Sequence, residues 1–158
     1  MHPHASMRRN EREITDNNEI SDILKTAKVM NLALSDNNMP FSVPVFYVFD
    51  GKSIYFHSAK SGTKIEIMKK NSSVCFSVSL DNGVVESSEA CDFEAKHRTV
   101  IGFGNAVFVE NDSEKIQALD KIVALFTDKK FEYPSANLKA TAVVRIDIDL
   151  LKGKKHGI

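Results

Sequence analysis

The feature that most constrains this chain is its punctuation. Turn-forming residues divide the chain into short elements, and most of these carry apolar residues at alternate positions, the period of a strand. Asp36-Asn37-Asn38 and Asp50-Gly51 are turn signals, and the second is a strong hairpin signal. Strands are expected over residues 30–35, 41–49, 53–58, 73–80, 93–110 and 140–151. In the second, Val43, Val45, Tyr47 and Phe49 share one face and Pro44 takes the other. Proline in a strand marks an edge, a bulge or a ligand contact. Gly102 and Gly104 interrupt the long fifth strand, as at a bend or a close backbone approach.

Three segments have helical spacing instead. Ile20, Ile23, Leu24 and Ala27 follow Asp16 and Glu19, which suit a capping box. A short helix is expected over residues 62–70, with Ile65 and Met68 inward. Residues 112–127 carry Ile116, Leu119, Ile122, Val123 and Phe126 on one stripe. Residues 81–90 read as a long loop and residues 152–158 as a basic tail. The order is α-β-β-β-α-β-β-α-β, with the first three strands pairing antiparallel. Steady βαβ alternation is absent, which argues against a doubly wound parallel sheet. Six strands with few helices point to a small closed or half-closed antiparallel barrel, mainly β with flanking helices.

Charge excludes some functions. Twenty-one basic residues balance 21 acidic ones among 158, so no net field gathers nucleic acid or anionic lipid. No apolar run approaches the ~20 residues of a membrane-spanning helix. The two cysteines, Cys75 and Cys91, make no disulfide framework and no zinc spacing, so a reducing, cytoplasmic setting and no metal site are expected. No apolar signal segment opens the chain. Residues 1–6 read as a loose tail before Met7, leaving residues 7–158 as one domain.

The segment with most chemistry runs from Tyr55 to Lys64. A strand ends, a Ser/Gly loop follows and a helix begins. Open N–H groups and the dipole at a helix start attract an anion; Ser58, Ser61, Thr63 and Lys64 add donors and charge. A phosphate would suit, although neither GxxxxGK[ST] nor GxGxxG is present. The competing reading is a serine-rich turn with an ordinary helix cap. His57 beside the loop is either a structural histidine or one that titrates near neutrality at a ligand. Lys96 and Arg98 alternate with His97, so His97 faces the other side.

In order and spacing these segments resemble the flavin-binding split-barrel superfamily of pyridoxamine 5′-phosphate oxidase, and within it the 5-nitroimidazole resistance (Nim-type) family. The resemblance runs through Met7-Arg8-Arg9, Pro40-Phe41-Ser42-Val43-Pro44-Val45, Asp50-Gly51, Ile54-Tyr55-Phe56-His57-Ser58-Ala59, Gly62, Lys64-Ile65 and Val74-Cys75-Phe76. It continues in Arg98-Thr99-Val100-Ile101-Gly102-Phe103-Gly104 and Gly153-Lys154. It implies a six-stranded antiparallel split β-barrel forming a homodimer, with flavin in grooves at the dimer interface. It places Val43, Pro44 and Val45 against the isoalloxazine, Phe56, His57, Ser58 and Ala59 along the flavin, Thr63 and Lys64 at its phosphate, and Arg98 and Thr99 on another strand. His97 stands where the family often has an aromatic residue. The expected activity is that of a flavin oxidoreductase, using FMN or alternatively FAD, with a small-molecule electron donor and acceptor, a nitroimidazole among the acceptors, and His57 at the proton transfer. The alternatives are a flavin carrier or sensor without catalysis, and a haem-handling protein with His57 or His97 as ligand. The short C-terminus lacks the arginine-rich ending associated with oxidation of pyridoxamine 5′-phosphate itself.

Overall fold

The computed structural model describes all residues, Met1–Ile158. After a 3-10 turn at Asn10–Arg12 come β1 (Glu13–Ile14), α1 (Asn17–Thr26), β2 (Val29–Asp36), β3 (Met39–Phe46), β4 (Val48–Phe49), β5 (Ser53–Ala59) and α2 (Thr63–Lys70). Then follow β6 (Ser73–Val85), a 3-10 turn at Ala90–Asp92, β7 (Glu94–Phe108), α3 (Asp112–Val123), α4 (Ser135–Ala140) and β8 (Thr141–His156). All pairings are antiparallel, and the sheet runs β3-β2-β6-β7-β8-β5-β4, with β1 on β8. Its ends, β3 and β4, do not pair, so the sheet curls into a barrel that stays split. The six long strands match the expected number; β1 and β4 are two-residue additions.

The turns form for the expected reasons. Asn37 and Asn38 both take positive φ, +50° and +63°, which closes the β2–β3 hairpin. Asp50 Oδ1 accepts from the N–H groups of Lys52 and Ser53 at 2.9 and 2.7 Å, while Gly51 supplies φ +100°. Asp16 caps α1 by accepting from Asn18 N at 2.8 Å. Glu19 does not complete the capping box, because its carboxylate is turned to Lys155 at 2.9 Å.

Four expectations need correction. Residues 41–49 are two strands, not one: Tyr47 leaves the sheet, its N–H bonds to Lys28 O and its hydroxyl donates to Leu24 O at 2.6 Å. The chain thereby crosses the split, so β3 pairs only β2, and β5 receives only the short β4. Much of the expected loop at 81–90 is strand, since β6 resumes pairing with β7 after a bulge between Asp81 and Val84. The expected basic tail belongs to β8, where Lys154 lies opposite both Glu13 and Thr99. On α3 the buried stripe is Lys115, Ala118, Leu119 and Ile122, rotated from the expected one; Phe126 is exposed.

The core fills the barrel with Met30, Leu32, Tyr47, Ile54, Phe56, Phe76, Val78 and Val100 and the inner faces of α1 and α2. Val43 and Val45 pack against it from β3, and Pro44 is exposed, as alternation requires. A smaller cluster of Val109, Ala118, Leu119, Leu138 and Val143 seats α3 and α4 outside the barrel.

Candidate functional site

The two open edges of the sheet define the site. Beyond β2, nothing pairs with β3; beyond Tyr55, nothing pairs with the β5 edge turned away from β8. Backbone groups of residues 43–45 and 57–59 that point into the split therefore have no strand partner there. Pro44 contributes no N–H to that edge. Residues Met39–Phe41 at the start of β3 and Thr63, Glu66 and Ile67 of α2 line one common depression, so α2 closes an end of the split.

The start of α2 differs from those of α1 and α3. Asp16 and Asn111 cap the latter two with side-chain oxygens, whereas Gly62 precedes α2 with φ +119° and no side-chain cap. The first N–H groups of α2 thus remain available, as an anion site requires. Thr63 is exposed and Lys64 half-exposed on this turn, and Lys64 makes neither an ion pair nor a hydrogen bond within the chain. A phosphate fits this donor set, and a planar ring with a polar edge fits the open strands.

The other sequence-selected residues divide. Phe56 has no exposed surface, so neither its ring nor its backbone is open to the split. His57 and Ala59 are exposed and Ser58 half-buried. On the face of β5 that carries His57 lies a network the sequence did not announce. Tyr55 donates to Glu114 at 3.2 Å, and Arg145 binds Glu114 and Asp147 at 2.6 Å each. These bonds to Asp147 and Glu114 raise the Arg145 pKa, and burial followed by Glu114 raises that of Tyr55. The network ties α3 to β5 and β8.

Arg98 and Thr99 lie elsewhere. They pair with Lys155 and Lys154 on β8, whereas Ser58 pairs with Ala142 at its other end. At about 3.3 Å per residue that is roughly 40 Å of strand. Along β8 they lie far from His57, whereas across the sheet Thr99 is two residues from the row Ile101–Ser77–Asn31–Pro44 that ends on the β3 edge. Arg98 and Thr99 also face opposite ways. Thr99 shares the outer face with Ser79, whose hydroxyl lies 3.1 Å away, and with His97, whose Nδ1 lies 3.2 Å away. Arg98 instead turns toward α1, with Nε buried and unpartnered. Burial, then Lys154, His156 and Arg12, lower the His97 pKa. Cys75 is half-buried and its thiol is pushed up by burial; Cys91 is exposed.

A family profile described as pyridoxamine 5′-phosphate oxidase matches residues 16–155. The chain belongs to that family. Comparison with curated protein sequences gives no match. Among solved structures, a candidate 5-nitroimidazole antibiotic resistance protein from Bacteroides thetaiotaomicron is 27% identical, with a TM-score of 0.80 over 90% of this chain and 85% of that one. The flavocytochrome Anf3 of Azotobacter vinelandii is 22% identical, with a TM-score of 0.87 over 97% of this chain and 73% of that one. A FAD and heme binding protein from Mycobacterium smegmatis is 20% identical, with a TM-score of 0.86 over 93% and 74%. At 20–22% identity the last two likenesses are of fold. The family's split barrel is the fold described above. No helix is long and apolar enough to cross a membrane.

Proposed function

We propose that the chain is a homodimeric flavoprotein that binds FMN across its open strand edges and works as an oxidoreductase on small acceptors. The observation that carries this reading is the meeting of two unpaired strand edges with an uncapped helix start bearing Lys64. Membership of the family and the names of structural relatives that bind flavin support it. Lys64, Thr63 and the first N–H groups of α2 would hold the phosphate. The β3 edge at Val43–Pro44–Val45 and the β5 segment from His57 to Ala59 would flank the ring, with Phe56 packed beneath it, and Pro44 would leave room where an N–H is missing. A bound flavin supplies electron or hydride transfer. His57, exposed on the neighbouring strand, would give or take the accompanying proton.

The position of Thr99 supports a second subunit. Thr99 shares the outer sheet face with Val29, Phe46 and Ile101, which are 42%, 53% and 37% exposed. A second copy seated there would cover these apolar groups and carry Thr99 to its partner's flavin.

The deciding experiment is an absorbance scan of the purified protein, with chromatography of any released chromophore. Bands near ~370 and ~450 nm are expected for oxidised flavin, and chromatography separates FMN from FAD. A Soret band would favour the haem reading instead. A colourless protein that takes up neither FMN nor FAD overturns the proposal. Lys64→Ala should weaken flavin binding by about tenfold or more, the loss of one charge-assisted hydrogen bond. His57→Ala should retain flavin and lose ~100-fold in turnover. Unchanged turnover in His57→Ala would remove its catalytic role, and negligible turnover in the unaltered protein would leave a carrier or sensor.

A further inference from the structure

A second cleft, of about 280 Å³, lies on the far side of α2. It opens between α2, the end of β7, α3 and the start of β8. Its size is just below the ~300 to ~1,000 Å³ of ordinary ligand pockets, which suits a small molecule. One wall is apolar, with Ile65, Phe108 and Val143. The other carries three lysines, Lys60, Lys69 and Lys115, against one acid, Glu110.

Lys115 is the unusual member. It is 5% exposed, a degree of burial that lysine rarely reaches without a counter-ion. Its ammonium has one partner, Leu138 O at 2.6 Å, which leaves two of three donor hydrogens unused. No carboxylate of the chain pairs with it. The adjacent acid on α3, Glu114, is turned away to Arg145 at 2.6 Å. Lys69 reaches Glu66 on the surface at 3.4 Å, and Lys60 has no ion-pair partner. A buried cation beside an apolar wall calls for an anion with an apolar body.

The geometry points to a binding site for a small organic carboxylate in this cleft, separate from the proposed flavin groove, with Lys115 as the buried counter-ion. The carboxylate takes the two unused ammonium hydrogens, Lys60 and Lys69 add charge at the mouth, and the apolar body lies on Ile65, Phe108 and Val143. The competing role for Lys115 is purely structural: its ammonium satisfies a carbonyl near the end of α4 and needs no ligand.

Calorimetric titration of the full chain separates these roles, with benzoate as the probe and benzamide as its neutral analogue. The titration is run once as purified and once after saturation with FMN. The site predicts that benzoate binds at least tenfold more tightly than benzamide, and that Lys115→Met abolishes the difference. Lys60→Gln, a change at an exposed position, should weaken benzoate severalfold. It keeps the test decisive should Lys115→Met fail to fold. Benzoate should also raise the unaltered protein's melting temperature. Equal binding of benzoate and benzamide overturns the proposal, as does full benzoate binding by Lys115→Met or Lys60→Gln. Benzoate binding that FMN abolishes would assign the cleft to the flavin groove, ending the separate site but not the flavin reading. A protein that binds benzoate but no flavin would do the reverse.

Discussion

Gly102 has no side chain because the Phe76 ring occupies the space one would need. A Cβ there would overlap that ring, which is fully buried in the barrel. Gly104 is held differently, since its Cβ would run into the backbone oxygen of Asp147 across the bulge between β7 and β8. Gly102→Ala should therefore destabilise the protein by ~1–3 kcal/mol, the usual cost of overpacking. A urea titration would show it as a lower midpoint with unchanged slope. An unchanged midpoint would mean that the ring has somewhere else to go. Adding Phe76→Leu to the same chain should recover part of the loss, because the two positions share one space. Both glycines were legible from sequence as a bend or a close backbone approach, and the second holds for Gly104, whereas Gly102 is approached by a side chain. What they approach was not legible, because Phe76 reaches Gly102 through strand register rather than chain proximity.

Strands, turns and two of the longer helices follow from local chemistry, and so most of the element order was readable. The break at Tyr47 was not. Parity continues across it, since Val43, Val45, Tyr47 and Phe49 all face inward, and only the backbone changes partners. Its cause is non-local: a hydroxyl donated to Leu24 O, twenty-three residues back. Burial pushes the Tyr47 phenol well above its ordinary range, so it stays a donor at any physiological pH. Tyr47→Phe strands that carbonyl and should cost ~1–2 kcal/mol in stability, read from the same urea midpoint. Because β3 and β4 border the split, this variant should also weaken flavin uptake, whereas a loss of stability with unchanged flavin affinity would show that the corner does not shape the groove. Lys115 was legible in principle. It stands at i, i+3, i+4 and i+7 with Ala118, Leu119 and Ile122, but a lysine on an apolar stripe is ordinarily read as belonging to the solvent side. The six-residue α4 offers no side-chain cap and too short a period to be seen.

At the scale of the whole molecule, the proposed site draws on two ends of β8, with His57 and Lys64 by one end and Thr99 by the other. The open edges and Lys64 lie at the split, and Thr99, on the outer face of β7, lies opposite Lys154 near the far end of β8. Sequence could nominate both halves of the site but not the subunit that supplies each, since that depends on a surface rather than on a motif. If the site is shared, defects in different halves should complement. Lys64→Ala removes the phosphate anchor, and Thr99→Phe blocks the outer face with a side chain that a strand tolerates. Each homodimer then has two damaged sites. Unfolding and refolding an equal mixture makes about half of the dimers mixed, and each mixed dimer has one site with both native residues, so ~25% of sites should regain flavin. Fluorescence of bound against free flavin, with molar mass from light scattering, measures the recovery. A site contained within one subunit allows no such rescue, because every subunit in the mixture carries one of the two defects. Recovery near zero in dimers of confirmed mixed composition would therefore place Thr99 outside the flavin site and leave Lys64 and the strand edges to hold the cofactor alone.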